Sequence, residues 1–80
     1  MRVTVNIYSY LRTYLRDSDE MVREKSWELP GNTTVGQVIE RLKLPKEVGI
    51  SVLVNSNSVD RKTILNEGDV IHILPQMFGG

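Results

Sequence analysis

The side chains that carry most enzyme chemistry are scarce in this 80-residue chain, which contains one histidine and no cysteine. The histidine, His72, lies between Ile71 and Ile73 in an alternating run, so we expect it on the strand face opposite the buried one. A general base at this position needs an orienting carboxylate, and the sequence shows none at a suitable spacing. We therefore interpret His72 as a solvent-facing or interface residue.

The same composition argues against metal and nucleic-acid chemistry. One histidine and no cysteine do not make a ligand set, and the run Asp17 to Glu20 lacks the glycine and closing glutamate of a calcium loop. Ten basic and ten acidic side chains give a formal net charge of zero, which offers no long-range attraction to nucleic acid or an anionic membrane. We expect no metal, no permanently bound cofactor, no nucleic-acid partner and no membrane partner. The lack of cysteine and of a membrane-length apolar run fits a cytoplasmic protein.

The remaining candidate is the C-terminal run from Pro75, which ends in Gly79 and Gly80. We expect Pro75 to end the last strand, so that residues 75–80 leave the sheet as a flexible arm of about 20 Å. Glycines at its tip leave the terminal carboxylate unhindered. A carboxylate becomes reactive as a mixed anhydride with phosphate, formed by a partner that supplies ATP and Mg²⁺. This reasoning places function on the Gly80 carboxylate, and the alternative is a chain end without a role.

Hydrophobic periodicity predicts the strands that must position this arm. Strict alternation over four or more residues indicates a half-buried strand, and β-branched runs bounded by turn residues indicate others. The predicted strands are Arg2–Tyr8, a strand containing Val22, Trp27 and Leu29 that Pro30 ends, Ile50–Asn55, a short strand at Val59–Thr63, and Val70–Leu74. Turns are predicted at residues 55–58 and 66–69.

Two segments have helical spacing. Thr34 and Gln37 form a capping box ahead of apolar residues at i, i+3, i+4 and i+7, which predicts a main helix over Val35–Lys43. Tyrosine and leucine residues predict a short helix over Ser9–Asp17, with Ser9 as its cap. The main helix must lay its apolar stripe on one face of the sheet, giving a two-layer α+β domain over residues 1–74 and a tail over 75–80.

Several short motifs in this order resemble those of the ubiquitin-like β-grasp sulfur carriers. They are Val54-Asn55, Leu65, Gly68-Asp69 and Gly79-Gly80. The resemblance covers nearly the whole chain and implies a mixed sheet of four to five strands packed on one main helix. Within the family, the helix-like segment after the first strand and Pro75 most resemble the small subunit of molybdopterin synthase. Gln76, Met77 and Phe78 depart from that pattern and partly resemble the thiamine-pathway carrier, so molybdenum, tungsten, thiamine and other sulfur acceptors all stay open.

The resemblance implies a carrier whose catalytic side chains belong to its partners. An E1-like enzyme would use ATP to adenylate Gly80, and a sulfurtransferase or cysteine desulfurase would supply sulfur for a thiocarboxylate. The tail would then enter the large subunit of molybdopterin synthase or an equivalent acceptor; its residues are Pro75, Gln76, Met77, Phe78, Gly79 and Gly80. An exposed sheet face would dock these partners through Leu53, Val70, His72 and Leu74. A protein modifier joined through Gly80 to lysine, and an interaction module with an inert tail, are the alternatives.

Overall fold

The computed structural model describes residues 1–15, 24–45 and 47–76, and it places five strands of that part in one sheet. The strands are β1 Arg2–Ile7, β2 Ser26–Glu28, β3 Ile50–Val54, β4 Asn57–Ser58 and β5 Val70–Pro75, and the helices are α1 Ser9–Arg12 and α2 Val35–Leu42. The strand order is β2-β1-β5-β3-β4, with β1 and β5 parallel and the other neighbours antiparallel. This arrangement confirms the predicted α+β fold with a mixed sheet and one main helix.

Buried aliphatic side chains from the sheet and from α2 form the core. Strand β1 buries every second residue, Val3, Val5 and Ile7, because successive side chains of a strand point to opposite faces. Helix α2 instead buries residues at a period near 3.6, as its sequence pattern predicts. These buried residues are Val35, Val38, Ile39 and Leu42.

Strand β2 adds a large aromatic side chain to this core. Trp27 is 0% exposed, and its indole N–H donates to the Glu24 carbonyl at 2.9 Å, which satisfies the polar end of a buried ring. The strand itself spans only three residues. Leu29 lies beyond it and packs partly buried against the core, while Val22 lies outside the described residues.

Helix α2 begins at the predicted capping box. The Gln37 amide donates to Thr34 Oγ1 at 3.3 Å, and the Thr34 amide donates to Gln37 Oε1 at 2.9 Å. The helix ends at Leu42, one residue before the predicted end, because Lys43 adopts a left-handed φ of 52° as the C-cap.

The loop at residues 61–65 covers the start of α2. The Val35 and Gly36 amides donate to the Thr63 and Arg61 carbonyls, each at 2.9 Å, so these two first-turn donors have partners. A Cβ on Gly36 would lie 3.1 Å from the same Arg61 oxygen. Glycine here permits the close approach between helix and loop.

Helix α1 is shorter than the predicted Ser9–Asp17 helix. It spans only Ser9–Arg12, and Asp17 lies outside the described residues. The prediction that Ser9 caps it is wrong, since the N-cap is Tyr8 and no side-chain cap bond forms.

Helix α1 packs on the core through few side chains. Leu11 is the buried residue of this helix, whereas Tyr10 and Tyr14 are exposed and contact each other edge to face at 6.0 Å between ring centroids. A short amphipathic segment depends on buried contacts for its stability, and residues 9–15 make them through Leu11 and the partly buried Leu15.

The fourth strand lies earlier in the chain than predicted. Asn55 and Ser56 have φ values of 51° and 72°, the positive values of a type I′ hairpin turn. The two-residue turn reverses the chain at once, so Asn57 and Ser58 pair with the end of β3. The prediction of a strand at Val59–Thr63 is therefore wrong, and those residues lie in loop and turn conformations.

The expectation that Pro75 leaves the sheet is also wrong. Pro75 pairs with Ile50, and the Gln76 amide donates to the Gly49 carbonyl at 2.9 Å. Hydrogen-bonded and non-hydrogen-bonded pairs alternate along an antiparallel ladder, so the Pro75 nitrogen points away from β3. A proline at such a position removes no bond to β3, and the ladder continues past it.

Candidate functional site

A partly buried face of the sheet gathers the four residues predicted to dock partners. Ile71 and Ile73 of β5 are fully buried, so their neighbours Val70, His72 and Leu74 lie on the opposite face. Leu53 of β3 pairs directly with His72 and lies on the same face. The structure thus brings Leu53, Val70, His72 and Leu74 together, and their docking role stays a prediction.

The residues paired directly with Val70, His72 and Leu74 in the neighbouring strands are uncharged. Thr4 and Asn6 of β1 pair with Val70 and His72, and Ser51 of β3 pairs with Leu74. These neighbours can offer hydrogen bonds but no net charge. Recognition at this face therefore depends on shape, apolar contact and directional hydrogen bonds.

The arm begins at the end of the central strand, β5. Pro75 and Gln76 are held beside Ile50 and Gly49 at the end of β5. The other predicted tail residues, Met77, Phe78, Gly79 and Gly80, lie outside the described residues. The predicted carrier carboxylate on Gly80 stays a prediction.

The asparagine and aspartate of the sequence motifs form one hydrogen-bonded unit. Asn55 Nδ2 donates to Asp69 Oδ1 at 2.8 Å, and Asn55 Oδ1 accepts from the Val70 amide at 3.0 Å. Asp69, which is 9% exposed, also accepts from the Asn66 amide through Oδ2 at 2.7 Å. Together these bonds fix the hairpin turn after β3 to the start of β5.

The other motif residues support the same junction. Gly68 has a φ of 84°, which a residue with a side chain rarely adopts, and Leu65 is 2% exposed in the core. Sequence reasoning identified these residues by resemblance but assigned them no contacts. The sequence feature that could have predicted these hydrogen bonds is the presence of Asn and Asp at turns, where their short polar side chains bond to the nearby backbone.

Side-chain chemistry is sparse in the part of the chain that the structure describes. There, no group of three or more His, Cys, Asp or Glu residues is arranged to hold a metal ion. Bonds from the Arg2 guanidinium and then the N-terminal ammonium lower the pKa of Glu28, and the hydrogen bond with Tyr10 raises the pKa of Tyr14. Neither group lies among the docking residues. In the same ranges, no helix has the length and apolarity needed to cross a membrane.

The fold defines the class of protein first: a ubiquitin-like β-grasp domain. A protein of Pyrococcus furiosus described as molybdopterin converting factor subunit 1 is 19% identical with a TM-score of 0.70, and the match covers 96% of this chain and 99% of that one. SAMP1 from Haloferax volcanii, a small archaeal modifier protein, is 16% identical over 100% of both chains with a TM-score of 0.65. Urm1 from Trypanosoma brucei is 20% identical with a TM-score of 0.60, over 99% of this chain and 95% of that one. At these identities the structures show the fold.

Sequence shows the family. Residues 9–80 match the ThiS family, and the chain belongs to it. This is a family of small ubiquitin-like sulfur carriers and modifiers that are not themselves catalysts. A comparison with curated proteins finds no significant sequence match.

Proposed function

We propose that this protein is a sulfur carrier that works through the carboxylate of Gly80. The observation that carries the proposal is the family match, which extends through residue 80 and so includes Gly79 and Gly80. The sparse side-chain chemistry of the described residues supports it, because a carrier needs an accessible attachment point rather than a catalytic side chain.

The chemistry proceeds in two steps on that carboxylate. An E1-like partner transfers AMP from ATP to a Gly80 oxygen and releases pyrophosphate, which converts a poor electrophile into an acyl adenylate. In the second step the persulfide of a sulfurtransferase or cysteine desulfurase attacks the acyl carbon and displaces AMP to give an acyl disulfide, and a thiol of a partner then cleaves that disulfide, which releases the thiocarboxylate and leaves a disulfide on the donor. Glycine at positions 79 and 80 keeps both approaches unhindered. ATP belongs to the activating partner, and the carrier itself needs no resident cofactor.

The sheet face proposed to dock these partners contains Leu53, Val70, His72 and Leu74. Its support is that these side chains share one partly buried face whose end leads directly into the arm. A partner on this face lies next to the strand that delivers the tail. The tail passes from Pro75 and Gln76 through Met77 and Phe78, whose apolar side chains suit a slot in the partner.

Molybdopterin synthesis is the sulfur-accepting pathway that we favour. The resemblance of the first helix and Pro75 to the small subunit of molybdopterin synthase supports it, as does the structural likeness to a molybdopterin converting factor subunit 1. The acceptor would then be the large subunit of that synthase. Thiamine or another sulfur-transfer pathway is the alternative, because residues 76–78 depart from the molybdopterin pattern. We further propose that the protein works in the cytoplasm, where cysteine desulfurase chemistry has reducing conditions.

A second candidate function is protein modification through an amide between Gly80 and a lysine amine. The observation that favours it is the structural likeness to SAMP1, a small archaeal modifier protein. Adenylation is common to both functions, so the two diverge only at the nucleophile that displaces AMP.

Mass spectrometry of protein purified from its native host tests the proposal. A sulfur carrier gives a fraction whose C-terminal peptide has one carboxylate oxygen replaced by sulfur. A modifier instead gives diglycine remnants on lysines of other proteins after digestion. If neither product were found in cells that are using the pathway, both functions would be rejected, and the remaining hypothesis would be an interaction module with an inert tail.

A further inference from the structure

A close contact joins the end of β5 to the residue that precedes β3. The Gln76 amide donates to the Gly49 carbonyl at 2.9 Å, and the Gln76 side chain folds over Gly49. A Cβ built on Gly49 would lie 2.6 Å from Gln76 Oε1 and 3.2 Å from Gln76 Cβ. Both distances are shorter than ordinary van der Waals contact, so the space above Gly49 is already occupied.

Space, rather than backbone conformation, favours glycine at position 49, because an added Cβ would displace the end of the Gln76 side chain and press on the Gln76 Cβ. Gly68 illustrates the other case, since its φ is +84° and no atom lies within 4 Å of an added Cβ. Gly49 has no such positive φ, and the atoms that would crowd an added Cβ there belong to Gln76. Because Gly49 has no side chain, the Gln76 side chain can lie directly over it, and a larger residue at position 49 would change where Gln76 lies.

This contact shortens the reach of the carrier end. An arm that starts at Pro75 would extend about 20 Å, whereas the four residues after Gln76 span at most about 14 Å in a trans chain. While Gln76 stays bound to Gly49, the segment that can reach a partner therefore starts at Gln76, at the end of the central strand β5, and not at Pro75. A partner's catalytic centre must then come within reach of the four residues that follow Gln76.

We propose that Gly49 is a positioning residue for the Gly80 carboxylate: it holds Gln76 against the sheet and so fixes the point from which the tail enters the activating enzyme. This inference rests on the proposed function, because it concerns delivery of the same carboxylate. Gly49 acts through Gln76 and does not touch the reacting atoms. Its contribution is to pre-organise the start of the tail, which reduces the conformational entropy that the tail loses when the partner binds.

A set of four variants tests this role. Gly49→Ala introduces the methyl group that Gln76 excludes, and Gly31→Ala is the matched control, because nothing lies within 4 Å of its added Cβ. Gln76→Ala removes the Oε1 atom at 2.6 Å, and the double variant Gly49→Ala/Gln76→Ala combines both changes. Each protein is measured below its unfolding midpoint, so that a loss of fold is not read as a loss of function.

Two measurements report separately on the hydrogen bond between Gln76 and Gly49 and on the adenylation of Gly80. Amide hydrogen exchange by NMR reports whether Gln76 stays bound to Gly49, and it requires no partner. ATP–pyrophosphate exchange with the E1-like enzyme of the native host reports adenylation of Gly80. We expect Gly49→Ala to speed exchange of the Gln76 amide and to lower kcat on the order of tenfold, with KM nearly unchanged because the docking face is intact. Gly31→Ala should match wild type, and the double variant should recover part of the lost kcat.

The outcomes separate this inference from the proposed function. Wild-type Gln76 exchange or wild-type kcat in Gly49→Ala would overturn the positioning role while leaving the carrier function in place. A fall in kcat that Gln76→Ala does not relieve would show that Gly49 acts by another route and would also overturn it. If the wild-type chain supported no pyrophosphate exchange, the proposed function would fail together with any role for Gly49 in it. Hydrogen exchange of the Gln76 amide would still show whether the contact with Gly49 exists.

Discussion

Asn55 and Asp69 join two turns that are 14 residues apart in the chain, through a hydrogen bond of 2.8 Å from Nδ2 to Oδ1. The Asp69 carboxylate is nearly buried and also accepts from the Asn66 amide. Removing it leaves these donors without their acceptor in a low-dielectric position. The pair therefore belongs to the scaffold that orients β5, and its substitution should affect stability first.

We expect Asp69→Ala to lower the free energy of unfolding by about 2–3 kcal/mol, because charge-assisted bonds to a buried carboxylate are lost. Asp60→Ala is the matched control: its carboxylate accepts from the Lys62 amide and Thr63 hydroxyl, but in an exposed loop. The control should cost less than half as much. Urea denaturation of both variants measures the difference, and equal losses would contradict a structural role specific to Asp69.

Ser56→Gly should stabilise the protein by about 0.5–1 kcal/mol, because Ser56 holds a φ of 72° that glycine adopts without steric cost. Ser58→Gly serves as the control, since Ser58 lies in β4 and glycine weakens a strand. Thermal unfolding should move the two midpoints in opposite directions. A fall in the midpoint of Ser56→Gly would refute the assignment of this turn.

Leu53→Asp should weaken docking of the activating enzyme while leaving the fold intact, because it places a charge opposite His72 on a partly buried face where the paired neighbours carry none. We expect KM in pyrophosphate exchange to rise on the order of tenfold with little change in kcat, since the tail is unaltered. Glu40→Gln, on an exposed position of α2, is the control and should behave as wild type. An unchanged KM in Leu53→Asp would remove this face from the proposed docking surface.

Deletion of Gly79 and Gly80 should abolish adenylation and leave the unfolding midpoint unchanged, because two glycines at a chain end have no side chains to bury. Gly80→Ala is the informative companion, since it keeps a terminal carboxylate but adds a methyl group beside it. We expect it to retain part of the activity, with a lower kcat. Full activity in the deletion variant would eliminate both the carrier and the modifier function.

Glu28 should give the protein a small pH dependence of stability. Its pKa is lowered because the Arg2 guanidinium donates to Oε1 at 3.1 Å and the N-terminal ammonium lies 3.3 Å from Oε2. A lowered pKa stabilises the fold above the ordinary value of about 4.3 and loses that effect as pH falls through the folded value. Urea midpoints of wild type and Glu28→Gln should therefore differ slightly at neutral pH and converge in acid. The difference is small because the pair is exposed. A difference that grew on acidification would contradict this sign.

The sequence by itself determined the elements with strong local signals. The capping box of Thr34 and Gln37, and alternation at Val3, Val5 and Ile7, placed α2 and β1 within a residue or two of their observed bounds. These signals are local because capping and periodicity involve residues close in the chain. Alternation also placed His72 opposite the buried face, and the motifs and final glycines indicated the family, which the match over residues 9–80 confirms.

Tertiary structure alone decided the features that depend on distant partners. Pro75 stays in the sheet because the register with Ile50 turns its nitrogen away from β3, and β4 begins at Asn57 because two consecutive residues take positive φ. Helix α1 spans a single turn that buries Leu11 against the core, a contact made through the folded chain. The contact between Gly49 and Gln76 likewise depends on strand register. Register is a pairing between segments far apart in sequence, so the position where the carrier arm begins could be read only from the folded chain.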